Sequence, residues 1–278
     1  MHLVSDSHCG EPCAYSVSLV FTQQLSRFRV SGNIGWEGVL NDGTRVLRTE
    51  TETSSHLYIG EDVLMTLRFD SRHVVCEVME RDTGHGKRRP QPGGYFIPLL
   101  VYLLSRENCY VIHGSAVSKD GKAVIFLGPS GSGKTSISLS LSRKGFVFMG
   151  DDLVIIQEGK DGAQACSLLF KPKVVQNDGT KSLLDISKES QINTCKSAPL
   201  HAMINLPYSP GIHQEIESRS ERDVLDWLLY QGNPPRFYAE AHRWVNFAYR
   251  IASSTKGWTW GPGTLDQVDV SAIEEILK

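Results

Sequence analysis

Between residues 14 and 80 the apolar positions come in short runs separated by turn-forming residues. Ala14–Phe21 alternates in part through Tyr15, Val17, Leu19 and Phe21, and Phe28–Val30 is a second short run. Asn41-Asp42-Gly43-Thr44 is a turn signal between Val39-Leu40 and Val46-Leu47. Leu57–Ile59, Val63–Phe69 and His73–Met79 read as further strands, the last two joined by a hairpin at Asp70-Ser71-Arg72. This pattern predicts a small antiparallel β-rich domain over residues 1–90. Residues 81–94 are dominated by Gly, Pro and charge, the signature of a linker or mobile loop.

The period changes after that. Phe96, Leu99, Leu100, Leu103 and Leu104 fall at helical spacing and predict a helix over 95–105 that packs on a sheet. Tyr110–Val117 reads as a strand that Lys119-Asp120-Gly121-Lys122 turns back into a buried strand, Val124–Leu127. His113-Gly114 would then lie on a strand antiparallel to Val124–Leu127. Ser136–Lys144 reads as a helix closed by Gly145. The strand Phe146–Met149 follows, then Asp151-Asp152 and Leu153–Ile156. Residues 157–165 read as a hairpin turn and Leu168–Val175 as a strand. Leu183–Ser190 suggests a short helix; His201–Leu206 and Gln214–Ser218 suggest strands. Ser220 to Asp223 is a capped helix start with Val224, Leu225, Leu228 and Leu229 as its apolar face. Tyr238–Ser253 and Ser271–Leu277 are the remaining helices. Trp227, Trp244, Trp258 and Trp260 gather in this last quarter, for packing or for a peptide groove. The expected organisation is an α/β domain over 91–278, preceded by the β-rich domain.

The chemistry concentrates at residues 128–135. Gly128-Pro129-Ser130-Gly131-Ser132-Gly133-Lys134-Thr135 fits G-x-x-x-x-G-K-[ST], between a predicted strand and a predicted helix that begins at Ser136. By chance the four fixed positions would match in roughly 1 in 100 chains of this length. Glycines let the backbone approach an anion where a Cβ would clash. The loop N–H groups then face phosphate oxygens at the positive end of a helix. Lys134 can reach the β- and γ-phosphates, and Thr135 can place its hydroxyl on Mg²⁺. Asp151 and Asp152 are adjacent carboxylates. Strand alternation would send them to opposite faces, so one can serve Mg²⁺ and the other can take a proton from an attacking hydroxyl. The bland alternative for the pair is a polar strand end.

Composition narrows the class. The chain has 278 residues, 40% hydrophobic and 22% charged, with a net charge of −2, so nothing favours a nucleic acid or an anionic membrane as partner. No apolar run reaches the ~18 residues of a membrane span, and Met1–Pro12 lacks a signal peptide's apolar core. A cytoplasmic protein is expected. The six cysteines form no C-x-x-C pair and read as free thiols. His8, Cys9 and Cys13 could start a zinc site, but no second close His/Cys pair completes it. Lys87, Arg88 and Arg89 read as a solvated loop, or as a contact for phosphate or an acidic peptide.

His113-Gly114, then Gly128 to Thr135, then Gly150-Asp151-Asp152 come in an order that resembles the catalytic domain of bacterial HPr kinase/phosphorylase. The resemblance covers about residues 95–160. It implies a P-loop kinase domain of the HPr kinase/PEP-carboxykinase type, with a mixed sheet and flanking helices, and ATP with Mg²⁺ as cofactors. The implied nucleotide contacts are Gly128, Pro129, Ser130, Gly131, Ser132, Gly133, Lys134, Thr135 and Ser136. Asp151, Asp152, His113 and Lys134 are the implied catalytic residues, with Thr135 and Asp152 at the metal. HPr kinases also carry a Glu-hydrophobic-Arg-Gly segment and a basic loop for phosphorolysis; neither is evident, and Leu168–Lys173 occupies the place of the former. The pattern therefore looks more like HPr-kinase-like enzymes that phosphorylate a serine at or near the C-terminus of a lasso-peptide precursor. The expected partner is such a peptide. HPr kinases form hexamers, so the resemblance also allows a homo-oligomer. The alternatives are a kinase for HPr or a small hydroxylated metabolite, and a nucleotide-gated binding module without phosphotransfer.

Overall fold

Period-two alternation becomes a sheet wherever turns let the apolar faces meet. In the computed structural model, residues 2–5, 13–22, 33–39, 43–82, 87–88, 92–159, 162–167, 172–175, 181–207, 213–232, 238–262 and 269–278 are described. The chain divides into two compact units, residues 1–103 with 235–241, and 104–234 with 242–278.

The first unit holds strands β1 (His2–Ser5), β2 (Cys13–Thr22), β3 (Asn33–Val39), β4 (Arg45–Glu50), β5 (Ser54–Ile59), β6 (Val63–Arg68) and β7 (His73–Met79) in one sheet, ordered β1-β2-β7-β6-β5-β4-β3. Arg81–Asp82 (β8) and Lys87–Arg88 (β9) pair separately. Register places Val46, Leu57, Ile59, Val63, Met65, Leu67, Val74, Cys76 and Val78 in one core, closed by Tyr102 and Leu103 of helix α1 (Pro92–Arg106). The Tyr102 hydroxyl donates to Ser55 Oγ at 2.8 Å, which satisfies a polar group that burial would otherwise penalise. The unit is β-rich as expected but not wholly antiparallel: β2 runs parallel to β7, from Ser16 opposite His73 to Thr22 opposite Met79. Alternation reveals strands without revealing which strands pair. The expected runs Phe28–Val30 and Leu168–Phe170, the turn residues Asn41 and Asp42, and the side chains of Phe96 and Leu99 lie outside the described residues.

The second unit is built on a mixed sheet. Its strands are β10 (Cys109–Ile112), β11 (Ser115–Lys119), β12 (Lys122–Leu127), β13 (Val147–Gly150), β14 (Val154–Gly159) and β15 (Gly162–Ser167). After the small pair β16 (Lys173–Val175) and β17 (Lys181–Leu183) come β18 (Asn193–Thr194), β19 (Ser197–Asn205), β20 (His213–Arg219) and β21 (Lys256–Pro262). The helices are α2 (Lys134–Arg143), α3 (Glu221–Gln231), α4 (Tyr238–Ser254) and α5 (Val270–Ile276). At the centre β12 lies between β11, antiparallel, and β19, parallel. All of Ala123, Val124, Ile125, Phe126 and Leu127 are fully buried, as a strand covered on both faces requires. Val124 and Phe126 face Ile137 and Leu141 of α2 and Ile273 and Ile276 of α5. Ile125 and Leu127 face Val224 and Leu228 of α3 and Trp244, Phe247 and Ile251 of α4.

Helix α3 starts with the expected capping box. Asp223 N–H donates to Ser220 Oγ at 3.3 Å, and Ser220 N–H donates to Asp223 Oδ2 at 3.0 Å. Three expectations change. Tyr110–Val117 is two strands, broken at His113-Gly114: β10 pairs with β14, β11 with β12 and β13. The helix expected at 183–190 is a 3₁₀ turn, Ile186–Lys188. Residues 157–165, expected as a hairpin turn, lie mostly in the paired strands β14 and β15.

Helix α3 ends against the break in the first of these. Ile112 bridges to Gly232, and His113 N–H donates to Gln231 O at 2.9 Å. A Cβ on Gly232 would lie 2.2 Å from Trp244 Cζ2 and 2.6 Å from Leu228 O. Gly232→Ala is expected to cost about 1–3 kcal/mol through overpacking, read as a lower urea midpoint. An unchanged midpoint would show that the Trp244 indole moves aside freely.

Candidate active site

Three strand ends converge because of their directions. Strands β12 and β13 are both antiparallel to β11, so they run parallel to each other. Their C-terminal ends and the start of β11 therefore share one edge of the sheet. The phosphate-loop sequence leaves β12 there, Asp151-Asp152 leave β13, and His113-Gly114 lead into β11. Side chains 113, 134 and 152 are thus gathered by strand topology and not by nearness in sequence.

The loop has the backbone that its glycines were expected to supply. Gly128, Gly131 and Gly133 have φ of 138°, 84° and 92°, values disfavoured for residues with a Cβ. At Gly128 a Cβ would also stand 2.3 Å from Leu206 O and 2.8 Å from Ser132 Oγ. Gly133 is the N-cap of α2; among the described residues no side chain caps this helix, and its first turn has no acidic residue. The N–H groups of that terminus are left for an external anion. Lys134 is 7% exposed and donates from Nζ to Gly128 O at 2.8 Å and to Pro129 O at 2.9 Å. Its ammonium is thereby folded over the loop. Pro129, Ser130, Gly131 and Ser136 are exposed. Ser132 Oγ is buried and has no hydrogen-bond partner, an orphaned hydroxyl of the kind that an added ligand can satisfy.

The two aspartates occupy different environments. Neither lies in a strand: residues 151–153 form a bend between β13 and β14, closed by Leu153 N–H donating to Asp151 O at 2.8 Å. Asp152 adopts φ 66°, a left-handed conformation that Asp tolerates better than most side chains. That kink, and not strand alternation, sends the carboxylates apart. Asp151 is 4% exposed and accepts from Thr135 Oγ1 at 2.8 Å. Asp152 is turned outward, with its side chain 58% exposed and Oδ1 3.6 Å from His113 Nε2. Asp152, expected at the metal, meets His113; Asp151 meets Thr135. Gly114 keeps β11 close to β12, since a Cβ there would lie 2.8 Å from Phe126 O.

Burial dominates the electrostatics. It pushes the Asp151 carboxyl above its ordinary range, and the neighbouring Asp152 charge adds to this; the Thr135 hydroxyl, the Asp152 N–H and the Lys134 ammonium pull it back. Burial also lowers the Lys134 ammonium, against the upward pull of Asp151 and Asp152. The site is thus a buried cation held near two carboxylates, short of full solvation on both sides.

These residues fit a polyphosphate with Mg²⁺. The helix end is uncapped, the loop is glycine-formed, one ammonium is at hand, and Thr135 and Asp151 supply hard oxygen donors. Mg²⁺ commonly takes one or two protein oxygens and keeps several waters. Among the described residues no cluster of three or more His, Cys, Asp or Glu side chains could hold a metal; His8 and Cys9 lie outside the described residues. Sequence reasoning missed Ser115 and Ser138, both fully buried beneath the loop, because isolated serines carry no pattern of their own.

No family model matches the sequence, and no curated protein matches it. Among solved structures, the HPr(Ser) kinase/phosphatase from Coxiella burnetii is similar, with 12% identity and a TM-score of 0.38, covering 59% of this chain and 94% of that chain. At that level of likeness the functional reading rests on the site's own geometry. No described helix is long and apolar enough to cross a membrane.

A carboxyl whose pKa is raised by folding favours the fold below its unfolded value, and that contribution is lost as pH rises through the folded value. Asp151→Asn keeps an acceptor for Thr135 and removes this loss. The variant is expected to melt above the wild type near neutral pH, with the gap closing as the pH falls and Asp151 takes up its proton. Melting temperatures measured across pH 3–8 check this; a variant that melts lower at neutral pH would contradict the burial argument.

Proposed function

We propose that this chain is an ATP- and Mg²⁺-dependent kinase that phosphorylates a serine hydroxyl on a peptide. The observation that carries the reading is the division of labour between the aspartates. Asp151 is buried on the Thr135 hydroxyl at 2.8 Å, and Asp152 is exposed beside His113 at the same sheet edge as the phosphate loop. A binding loop alone needs no second, outward carboxylate.

Thr135 and Asp151 would hold Mg²⁺, which would supply positive charge to offset that of the phosphates. The uncapped α2 terminus orients the phosphates through its N–H groups. Lys134 turns its ammonium from the Gly128 and Pro129 carbonyls toward phosphate oxygen, a short-range move for a flexible side chain. The Asp152 carboxylate accepts the proton as the serine O–H bond breaks, and the His113 imidazole holds that carboxylate in place. Positioning and charge stabilisation supply most of the rate in phosphoryl transfer.

The acceptor class comes from the motif order. His113-Gly114, the loop and Gly150-Asp151-Asp152 resemble HPr-type serine kinases, and the absent Glu-hydrophobic-Arg-Gly segment points away from reversible HPr phosphorylation. This favours a one-way tailoring kinase acting on the C-terminal serine of a lasso-peptide precursor.

The test is transfer from γ-labelled ATP to a peptide ending in serine, to its Ser→Ala counterpart, to HPr and to small hydroxylated metabolites. Label is expected on the peptide serine alone. Lys134→Ala and Asp152→Asn should each lower turnover by about 10²–10³-fold. ATP binding without transfer to any acceptor would instead make the chain a nucleotide-gated module, and full turnover by Asp152→Asn would remove that residue as the base.

A further inference from the structure

A helix that binds phosphate at its N-terminus cannot be secured there by a side-chain cap, because the cap would occupy the N–H groups that the anion needs. Helix α2 has no side-chain cap at Gly133. Its first turn is held from the carbonyl side. Ser115, the first residue of β11, donates from Oγ to Lys134 O at 2.9 Å. Ser115 Oγ also lies 2.8 Å from Ser138 Oγ. A serine hydroxyl has one proton. With that proton on Lys134 O, Ser115 accepts from the Ser138 hydroxyl.

The pattern is not the default for a helical serine. Such a side chain usually bonds back to the carbonyl four residues earlier, as Ser142 does to Ser138 O at 2.7 Å. The carbonyl four residues before Ser138 belongs to Lys134. Ser115 stands there instead, and Ser138 is turned to Ser115. All three serines are buried, Ser115 and Ser138 completely.

We infer that Ser115 is a positioning residue, which fixes the Lys134 turn to the start of the strand that His113-Gly114 lead into. The inference rests on the proposed kinase reading for its consequence in turnover, and on geometry alone for its consequence in the loop. Ser115 follows His113 by two residues, and the same segment is anchored on its other side by His113 N–H to Gln231 O at 2.9 Å. Thr135 is tied to Asp151 at 2.8 Å. The Lys134–Thr135 turn is therefore referenced to both β11 and the aspartate bend. Misplacement by about 1 Å can cost roughly 10²-fold in rate, so a bond that sets this spacing acts on turnover more than on nucleotide affinity.

The experiment compares Ser115→Ala, Ser138→Ala and the double variant by amide hydrogen exchange over residues 128–141, nucleotide binding and transfer kinetics. Ser115→Ala is expected to speed exchange in the first turn of α2 by about tenfold and to lower kcat by about tenfold, with the KM for ATP changed less than about twofold. Ser138→Ala removes a hydroxyl from the same buried spot but leaves the bond to Lys134 O. It should keep wild-type exchange in that turn and wild-type kcat. Ser115→Ala also leaves the buried Ser138 hydroxyl without its acceptor and should lower stability; the double variant removes that hydroxyl and should recover stability without recovering kcat. If Ser115→Ala and Ser138→Ala behave alike, or if Ser115→Ala leaves exchange in the turn unchanged, the positioning role is overturned. A wild-type protein that binds ATP yet transfers no phosphate would count against the kinase reading, and the exchange comparison would still decide the role of Ser115.

Discussion

A helix terminus that is to bind an anion must stay bare, and much of the second unit is arranged in keeping with that constraint. Helix α2 starts at a left-handed glycine, which has no side chain with which to cap its N–H groups. A helix start normally gains about 1 kcal/mol from a cap, and α3 has one in its Ser220–Asp223 box. For α2 the compensation comes from elsewhere: from the Thr135–Asp151 hydrogen bond, from the Ser115 bond to the Lys134 carbonyl, and from Ile137 and Leu141 packed against Val124 and Phe126.

The same constraint explains the charge arrangement. Lys134 is buried where phosphate would stand, and its ammonium leans on loop carbonyls. Asp151 is buried beside it and is disfavoured as an anion by that burial. Both groups are poorly solvated, a cost that function can justify where stability alone would not. Sheet direction completes the picture. Two parallel strands and one antiparallel strand deliver the loop, the aspartates and the histidine to a single edge.

Much of this was legible in the sequence. The loop motif, Val124–Leu127 as a buried strand, the capped start of α3 and the helical period of Trp244, Phe247 and Ile251 all carry local signals, and local signals survive into the fold. What stayed hidden was non-local. The need for glycine at 114 is set by the Phe126 carbonyl, which a Cβ there would strike. The separation of Asp151 from Asp152 comes from a left-handed residue, where alternation had suggested opposite strand faces. The buried Ser115–Ser138 pair spans 23 residues of sequence and has no periodicity to betray it.

The parallel pairing of β2 with β7 bears on how the first unit is made. Residues 13–16 of β2 pair with β1, but residues 17–22 meet their strand partner only at β7, from Val74 to Met79, and β3 to β6 pair among themselves in between. At translation rates of about 5–20 residues per second, β2 waits on the order of seconds before β7 exists. During that wait Leu19, Val20 and Phe21 lack their β7 neighbours, and they stay partly exposed even in the finished sheet. Parallel, long-range pairing of this kind is slow and open to aggregation. The yield of folded protein therefore depends on what keeps that strand apart from other chains until β7 is synthesised.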